Sequence, residues 1–162
     1  LHSDGATIGI TGTATDVTRY KETEAALIAS RKRFEAFMNH IPALGFVKDA
    51  DGRMVYVNQA YTTKFETNEA HFIGKLDHEL WPAEVADRLR DADRRVLDEM
   101  KPIELHEVVP TPDGVYREWW VAKFPFRDAA GRIFLGGIVL DLTERKQLED
   151  ALRRSEQRHR HS

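Results

Sequence analysis

One stretch constrains this chain more than any other. In Gly136-Gly137-Ile138-Val139-Leu140-Asp141-Leu142-Thr143-Glu144-Arg145-Lys146 an apolar run ends at an Asp-x-Thr corner and gives way to charged residues at helical spacing. Near the start, Gly12-Thr13-Ala14-Thr15-Asp16-Val17-Thr18-Arg19-Tyr20-Lys21 repeats the pattern. The offset is 125, the difference between Asp141 and Asp16, and Gly137/Gly12, Thr143/Thr18, Lys146/Lys21, Leu152/Leu27 and Ser155/Ser30 share it. An interval that long holds a whole domain. The repeat therefore predicts the last strand of a preceding domain in 1–18, a connector helix in 19–40, a complete domain in 41–143, and the start of a second connector in 144–162.

Composition narrows the function classes. The 162 residues carry 24 basic and 27 acidic side chains, a net charge of -3, which gives no electrostatic footprint for nucleic acid or an anionic membrane. Cysteine is absent, so disulfides, thiolate metal sites and thiol chemistry are excluded. No apolar run reaches the roughly 20 residues of a membrane span, and no signal peptide opens the sequence. The expected location is the cytoplasm, with the parent protein free to carry an anchor elsewhere.

In the connector, Asp16 or Thr18 offers an oxygen to cap the first free amides of a helix. Tyr20, Leu27, Phe34 and Ile41 recur every seven residues, with Thr23, Ser30 and Phe37 three later. That a/d spacing predicts a parallel two-stranded seam through Tyr20, Leu27, Phe34 and Phe37, augmented by sheet contacts at Trp119 and Val121. The competing reading is a single amphipathic helix.

Ile41-Pro42 ends the helix, because proline removes a donor and restricts the residue before it. Leu44 to Lys48 and Arg53 to Val57 read as strands joined by Asp49-Ala50-Asp51-Gly52, and Asn58 is placed to cap a short helix carrying Tyr61 and Phe65. After Trp81-Pro82, apolar residues at Val85, Leu89, Ala92, Val96 and Met100 define an inward helix face, and the remaining charges, Asp93 among them, read as solvated. Three strands follow, Ile103 to Val109, Val115 to Phe126 and Arg132 to Leu142. In the middle one Trp120, Ala122, Phe124 and Phe126 alternate with Trp119, Val121 and Lys123, and the all-apolar phase is expected to face the core. The last is apolar on both faces, which predicts a central strand covered on each side.

Five features in this order resemble the PAS domain family. They are the Phe34-to-Pro42 approach, Gly52-Arg53-x-x-Tyr56-Val57-Asn58-x-Ala60, Gly74-Lys75-x-Asp77-x-Glu79-Leu80-Trp81-Pro82, Trp119-x-x-x-Lys123-Phe124-Pro125, and Asp141-Leu142-Thr143-Glu144-Arg145-Lys146. The resemblance implies an α+β fold with a five-stranded antiparallel sheet in spatial order 2-1-5-4-3. It also implies a sensory or relay module of a bacterial signalling protein of histidine kinase or diguanylate cyclase type. Such a module works as a parallel homodimer beside adjacent PAS or output domains.

No enzyme signature appears: His78-Glu79 lacks a second histidine one helical turn on, and phosphate loops and serine-nucleophile patterns are missing. No catalytic residue and no metal ligand set is assigned. Flavin photochemistry of the kind this family runs on a reactive cysteine is excluded. The expectation is no cofactor, or a small apolar or aromatic ligand in a cavity lined by Phe46, Tyr56, Asn58, Tyr61, Phe65, Trp81, Leu89, Val96, Trp120 and Phe124. Plain core packing of the same side chains makes the domain a dimerisation spacer instead, and haem-based gas sensing is a third reading, for which His71, His78 and His106 are the histidines at hand. Asp16, Thr18, Asp141 and Thr143 are the residues expected to transmit the signal.

Overall fold

A computed structural model describes the backbone of residues 2–161 and the side chains of 16–159. The chain divides at His40/Ile41 into two compact units. The first is one helix, α1 (His2–His40). The strand expected over 1–18 is therefore corrected to helix from His2 on, residue 1 lying outside the described residues. A strand needs a neighbour to satisfy its N–H and C=O groups, and none of the five strands in the sheet pairs with this segment. A helix satisfies the same groups internally, which outweighs the weak β preference of its threonines and isoleucines. Tyr20, Leu27, Phe34 and Phe37 are all exposed along α1.

The second unit contains β1 (Leu44–Asp49), β2 (Met54–Val57), α2 (Gln59–Lys64), α3 (Glu69–Phe72), α4 (Asp77–Leu80), α5 (Ala83–Glu99), β3 (Ile103–Pro110), β4 (Tyr116–Arg127), β5 (Ile133–Asp141) and α6 (Leu142–His161). The strands form one antiparallel sheet in the order β2-β1-β5-β4-β3. β5 is central, paired from Leu44↔Val139 to Asp49↔Phe134 on one side and from Trp119↔Asp141 to Arg127↔Ile133 on the other.

Turn chemistry sets the register. Asp49 Oδ1 accepts from the amides of Asp51 and Arg53, and Asp128 Oδ1 accepts in the same way from Ala130 and Arg132. Asn58 joins the first hairpin to α2. Its Oδ1 accepts from Gly45 N at 2.9 Å and caps α2 at Tyr61 N at 3.1 Å, while its Nδ2 donates to Ala43 O at 3.0 Å. The glycine pair in β5 has a steric purpose: a side chain at Gly137 would overlap the Phe46 ring, and one at Gly136 the Phe124 ring. Two aromatic rings thus cross the central strand, one on each face.

The core face of the sheet is the opposite of the one the apolar alternation suggests. Trp119, Val121 and Lys123 point inward and are almost fully buried, whereas Phe124 and Phe126 are exposed and Trp120 is half-buried. The inward phase contains a lysine because the carboxylates of Asp93 and Glu107 receive its ammonium there. The outward phase keeps its own aromatic surface, with Phe126 stacked on Phe134 at 5.6 Å. On α5 the buried stripe is Val85, Leu89, Asp93 and Val96, with Ala92 half-buried and Met100 exposed in the left-handed C-cap at φ 51°.

Candidate functional site

Five ionisable side chains converge inside the domain from five different elements. Lys48 of β1 places Nζ 2.7 Å from Asp77 Oδ2 of α4 and 2.8 Å from Asp93 Oδ2 of α5. Lys123 of β4 places Nζ 2.8 Å from Asp93 Oδ1 and 2.7 Å from Glu107 Oε1 of β3. Asp93 bridges the two lysines, and four of the five residues are buried outright, with the Glu107 side chain 11% exposed. Charges this deep persist only when paired.

Beside them lies a small cavity of about 40 Å³. Its apolar wall is an aromatic cluster: Tyr61, backed by Phe72 edge to face at 5.0 Å, Phe65 meeting Trp81 likewise at 5.1 Å, and Trp119 stacked on Phe65 at 5.9 Å. Of the side chains expected at a pocket, Phe46, Tyr61, Phe65, Trp81 and Leu89 line this cavity. Asn58 and Val96 are buried without lining it. Tyr56, Trp120 and Phe124 are corrected to the other face of the sheet, since Tyr56 pairs with Val47 and the β4 phase is inverted. The same inversion puts Trp119 and Val121 in the core, where they cannot augment a dimer seam. His71, His78 and His106 are all exposed, and His78 Nε2 lies 2.8 Å from Asp87 Oδ1.

Burial pushes the Glu107 carboxyl above its ordinary range, and Asp93 adds to this against the opposing pull of Lys123 and Lys48. Burial works on Asp93 in the same sense, but Lys48 and Lys123 outweigh it and hold that carboxyl low. The two therefore act oppositely on stability. The Asp93 contribution is present above about 3.9, the unfolded value, and is lost as pH falls through its lower folded value. The Glu107 contribution is complete below about 4.3 and is lost as pH rises through its raised folded value. Urea midpoints should accordingly carry a component that declines above pH about 4.3, and Glu107→Gln should abolish it. An unchanged decline in the variant would place its origin elsewhere.

The second candidate is the corner where β5 becomes α6. Asp141 Oδ1 accepts from Thr143 N at 2.8 Å and Glu144 N at 3.4 Å, capping the helix. Its Oδ2 lies 3.0 Å from Lys64 Nζ, which also reaches Glu144 Oε1 at 2.7 Å and sits over the Trp119 ring at 5.8 Å. Burial alone would raise the Asp141 carboxyl; Lys64 and the two amides hold it below its ordinary value. Thr143 contributes its backbone amide to the cap. Asp16 and Thr18 are corrected: both lie exposed in the interior of α1, so neither stands at a strand-to-helix corner.

Sequence reading missed the buried ions and Lys64. A signal existed for two of them, since Lys123 keeps phase with Trp119 and Val121, and Asp93 keeps phase with Val85, Leu89 and Val96. A charge in the apolar phase implies a buried partner.

An antiparallel sheet with helices over one face, a small cavity between them and a central strand running straight into a helix defines an α+β domain. The family model described as the PAS fold matches residues 38–147, and the chain belongs to that family. Among curated proteins it is 32% identical over 130 residues to the uncharacterized protein y4lL of Sinorhizobium fredii, covering 78% of this chain and 16% of that protein. It is 30% identical over 122 residues to the methanogenesis regulatory histidine kinase FilI of Methanothrix harundinacea, covering 75% of this chain and 14% of the kinase. The chain thus spans less than a fifth of either relative. A structure of VqmA bound to DPO aligns with TM-score 0.60 and 30% identity over 70% of this chain and 58% of that one. Among the described residues no helix is long and apolar enough to cross a membrane.

Proposed function

We propose that this domain is the sensory or relay module of a multidomain signalling protein of histidine kinase or diguanylate cyclase type, and that its state leaves through the β5–α6 corner. One observation carries this reading. Asp141 caps α6 while its other oxygen is tied to Lys64, whose ammonium rests over Trp119, a wall residue of the cavity. A rearrangement around the cavity reaches the first turn of the exit helix through two contacts. Cap and ion pair together are worth about 1–2 kcal/mol, enough to bias two helix poses several-fold. In the full-length parent, Asp141→Ala should change basal output or its response while lowering the domain's melting temperature by only a few degrees. Wild-type output from Asp141→Ala would mean that the signal leaves by another route.

The repeat at an offset of 125 supports tandem domains, and the exposed Tyr20, Leu27, Phe34 and Phe37 support a parallel homodimer through α1. Replacing Leu27 and Phe34 together with glutamate should give a monomer of unchanged β content. Sedimentation showing the unmodified protein monomeric at high micromolar concentration would reject the seam.

Two readings of the input remain in play. The likeness to VqmA bound to DPO supports a small-molecule input. The volume of about 40 Å³, room for a water or two, supports a filled-core spacer that relays movement from its neighbours.

A further inference from the structure

The buried ions do not balance. Asp77, Asp93 and Glu107 supply three carboxylates against the two ammoniums of Lys48 and Lys123, and each lysine touches two of them at 2.7 or 2.8 Å. With every member charged, the cluster keeps one uncompensated negative charge in a low-dielectric interior, and a proton relieves it. Asp93 lies against both lysines, which hold it ionised, so the proton falls to one of the outer carboxylates. Both border the small cavity, where a water or two can deliver it. Glutamate is the more basic type, at about 4.3 against about 3.9 unperturbed. The Glu107 side chain is also 11% exposed where that of Asp77 is 1%.

Glu107 stands at the head of a row that ends at the exit helix. It pairs with Trp119 across β3 and β4, and Trp119 pairs with Asp141 across β4 and β5. Directly opposed residues share a face, with their Cβ atoms about 4.5–5.5 Å apart. The indole Nε1 of Trp119 donates to Val109 O at 3.1 Å, which fastens the ring to the strand that carries Glu107. Over the same ring, at 5.8 Å, lies the Lys64 ammonium that reaches Asp141 Oδ2 at 3.0 Å.

We propose that the five-ion cluster is a proton-binding site with Glu107 as its acceptor, and that its occupancy sets the capping geometry at Asp141 through Trp119. This rests on the reading that the domain's state leaves through that corner, and supplies it with an input. Ionised Glu107 holds Lys123 by a charge-assisted contact; once neutral it holds the ammonium about half as strongly, and the lysine settles on Asp93. The Trp119 ring beside them repacks and carries Lys64 with it. The titratable and charged groups facing Glu107 are Lys123 from β4, Asp93 from α5, Lys48 from β1, Asp77 from α4 and Tyr61 from α2, whose phenol burial keeps protonated.

A pH titration of the ¹³C,¹⁵N-labelled protein by NMR tests this. The Glu107 carboxyl carbon reports the proton, the Trp119 indole N–H the first step of the row, and the Thr143 amide, which donates to Asp141 Oδ1 at 2.8 Å, the cap. Trp120, opposite His106 on the outer face, marks protonation there. The expected result is one midpoint above about 4.3 shared by Glu107, Trp119 and Thr143 and distinct from any step at Trp120. Glu107→Gln, a mimic of the neutral carboxyl, should remove the step from both reporters and hold the Thr143 amide at its low-pH position. A Glu107 midpoint at or below about 4.3, a midpoint not shared by Trp119 and Thr143, or a shared step that survives in Glu107→Gln would overturn the proposal. The carboxyl titration of the unaltered protein decides even if the variant fails to fold. Wild-type output from Asp141→Ala beside an intact shared step would sink the relay to the parent's output and leave the proton site standing.

Discussion

Asp93→Ala is expected to lower the domain's unfolding free energy by about 3–5 kcal/mol and its melting temperature by more than about 10 °C. Asp93 is the one carboxylate that touches both buried lysines, at 2.8 Å each. Its removal leaves Lys48 with Asp77 and Lys123 with Glu107, and empties the space between two ammoniums that then face each other across a dry gap. Replacing a whole buried ion network with apolar residues is often neutral, but deleting the bridging carboxylate takes from each lysine one of its two charged partners, with the desolvation of both ammoniums already incurred. Far-UV circular dichroism against urea measures the effect. A loss below about 1 kcal/mol would mean that water enters the cavity and takes over the carboxylate's role.

Asn58→Ala is the second large effect, with an expected loss of about 3 kcal/mol. The side chain is 1% exposed and satisfies three backbone groups from two elements, Gly45 N, Ala43 O and Tyr61 N. Alanine removes a helix cap, at about 1 kcal/mol, and leaves two buried backbone groups on β1 and its approach unpaired, at about 1 kcal/mol or more each. Asn58→Asp separates these contributions, because a carboxylate keeps both acceptor contacts and loses the donor to Ala43. It should recover more than half of the deficit. An aspartate variant as unstable as the alanine would show that the donor contact to Ala43 dominates.

Both residues show how far the sequence could be read. Asn58 sits directly after a strand and three residues before Tyr61, a local arrangement whose capping geometry follows from spacing alone. The hairpin turns at Asp49 to Gly52 and Asp128 to Gly131 were legible for the same reason. So was the central place of β5, apolar on both faces. Asp93 was not legible: nine other charges on α5 make a solvated face the simpler reading, and its lysine partners lie 45 residues before it and 30 after.

Local chemistry fixed where strands end, where helices are capped and where the chain turns, because those interactions span a few residues and their geometry is built into the residue types. Two-residue periodicity fixed that β4 has two unlike faces. Which face turns inward was settled only in the tertiary structure, where Asp93 and Glu107 receive Lys123 and make the lysine phase the buried one. The segment at 1–18 was decided the same way. A strand exists only with a neighbour, none of the five strands pairs with this segment, and from His2 on the backbone forms the helix that closes its own hydrogen bonds.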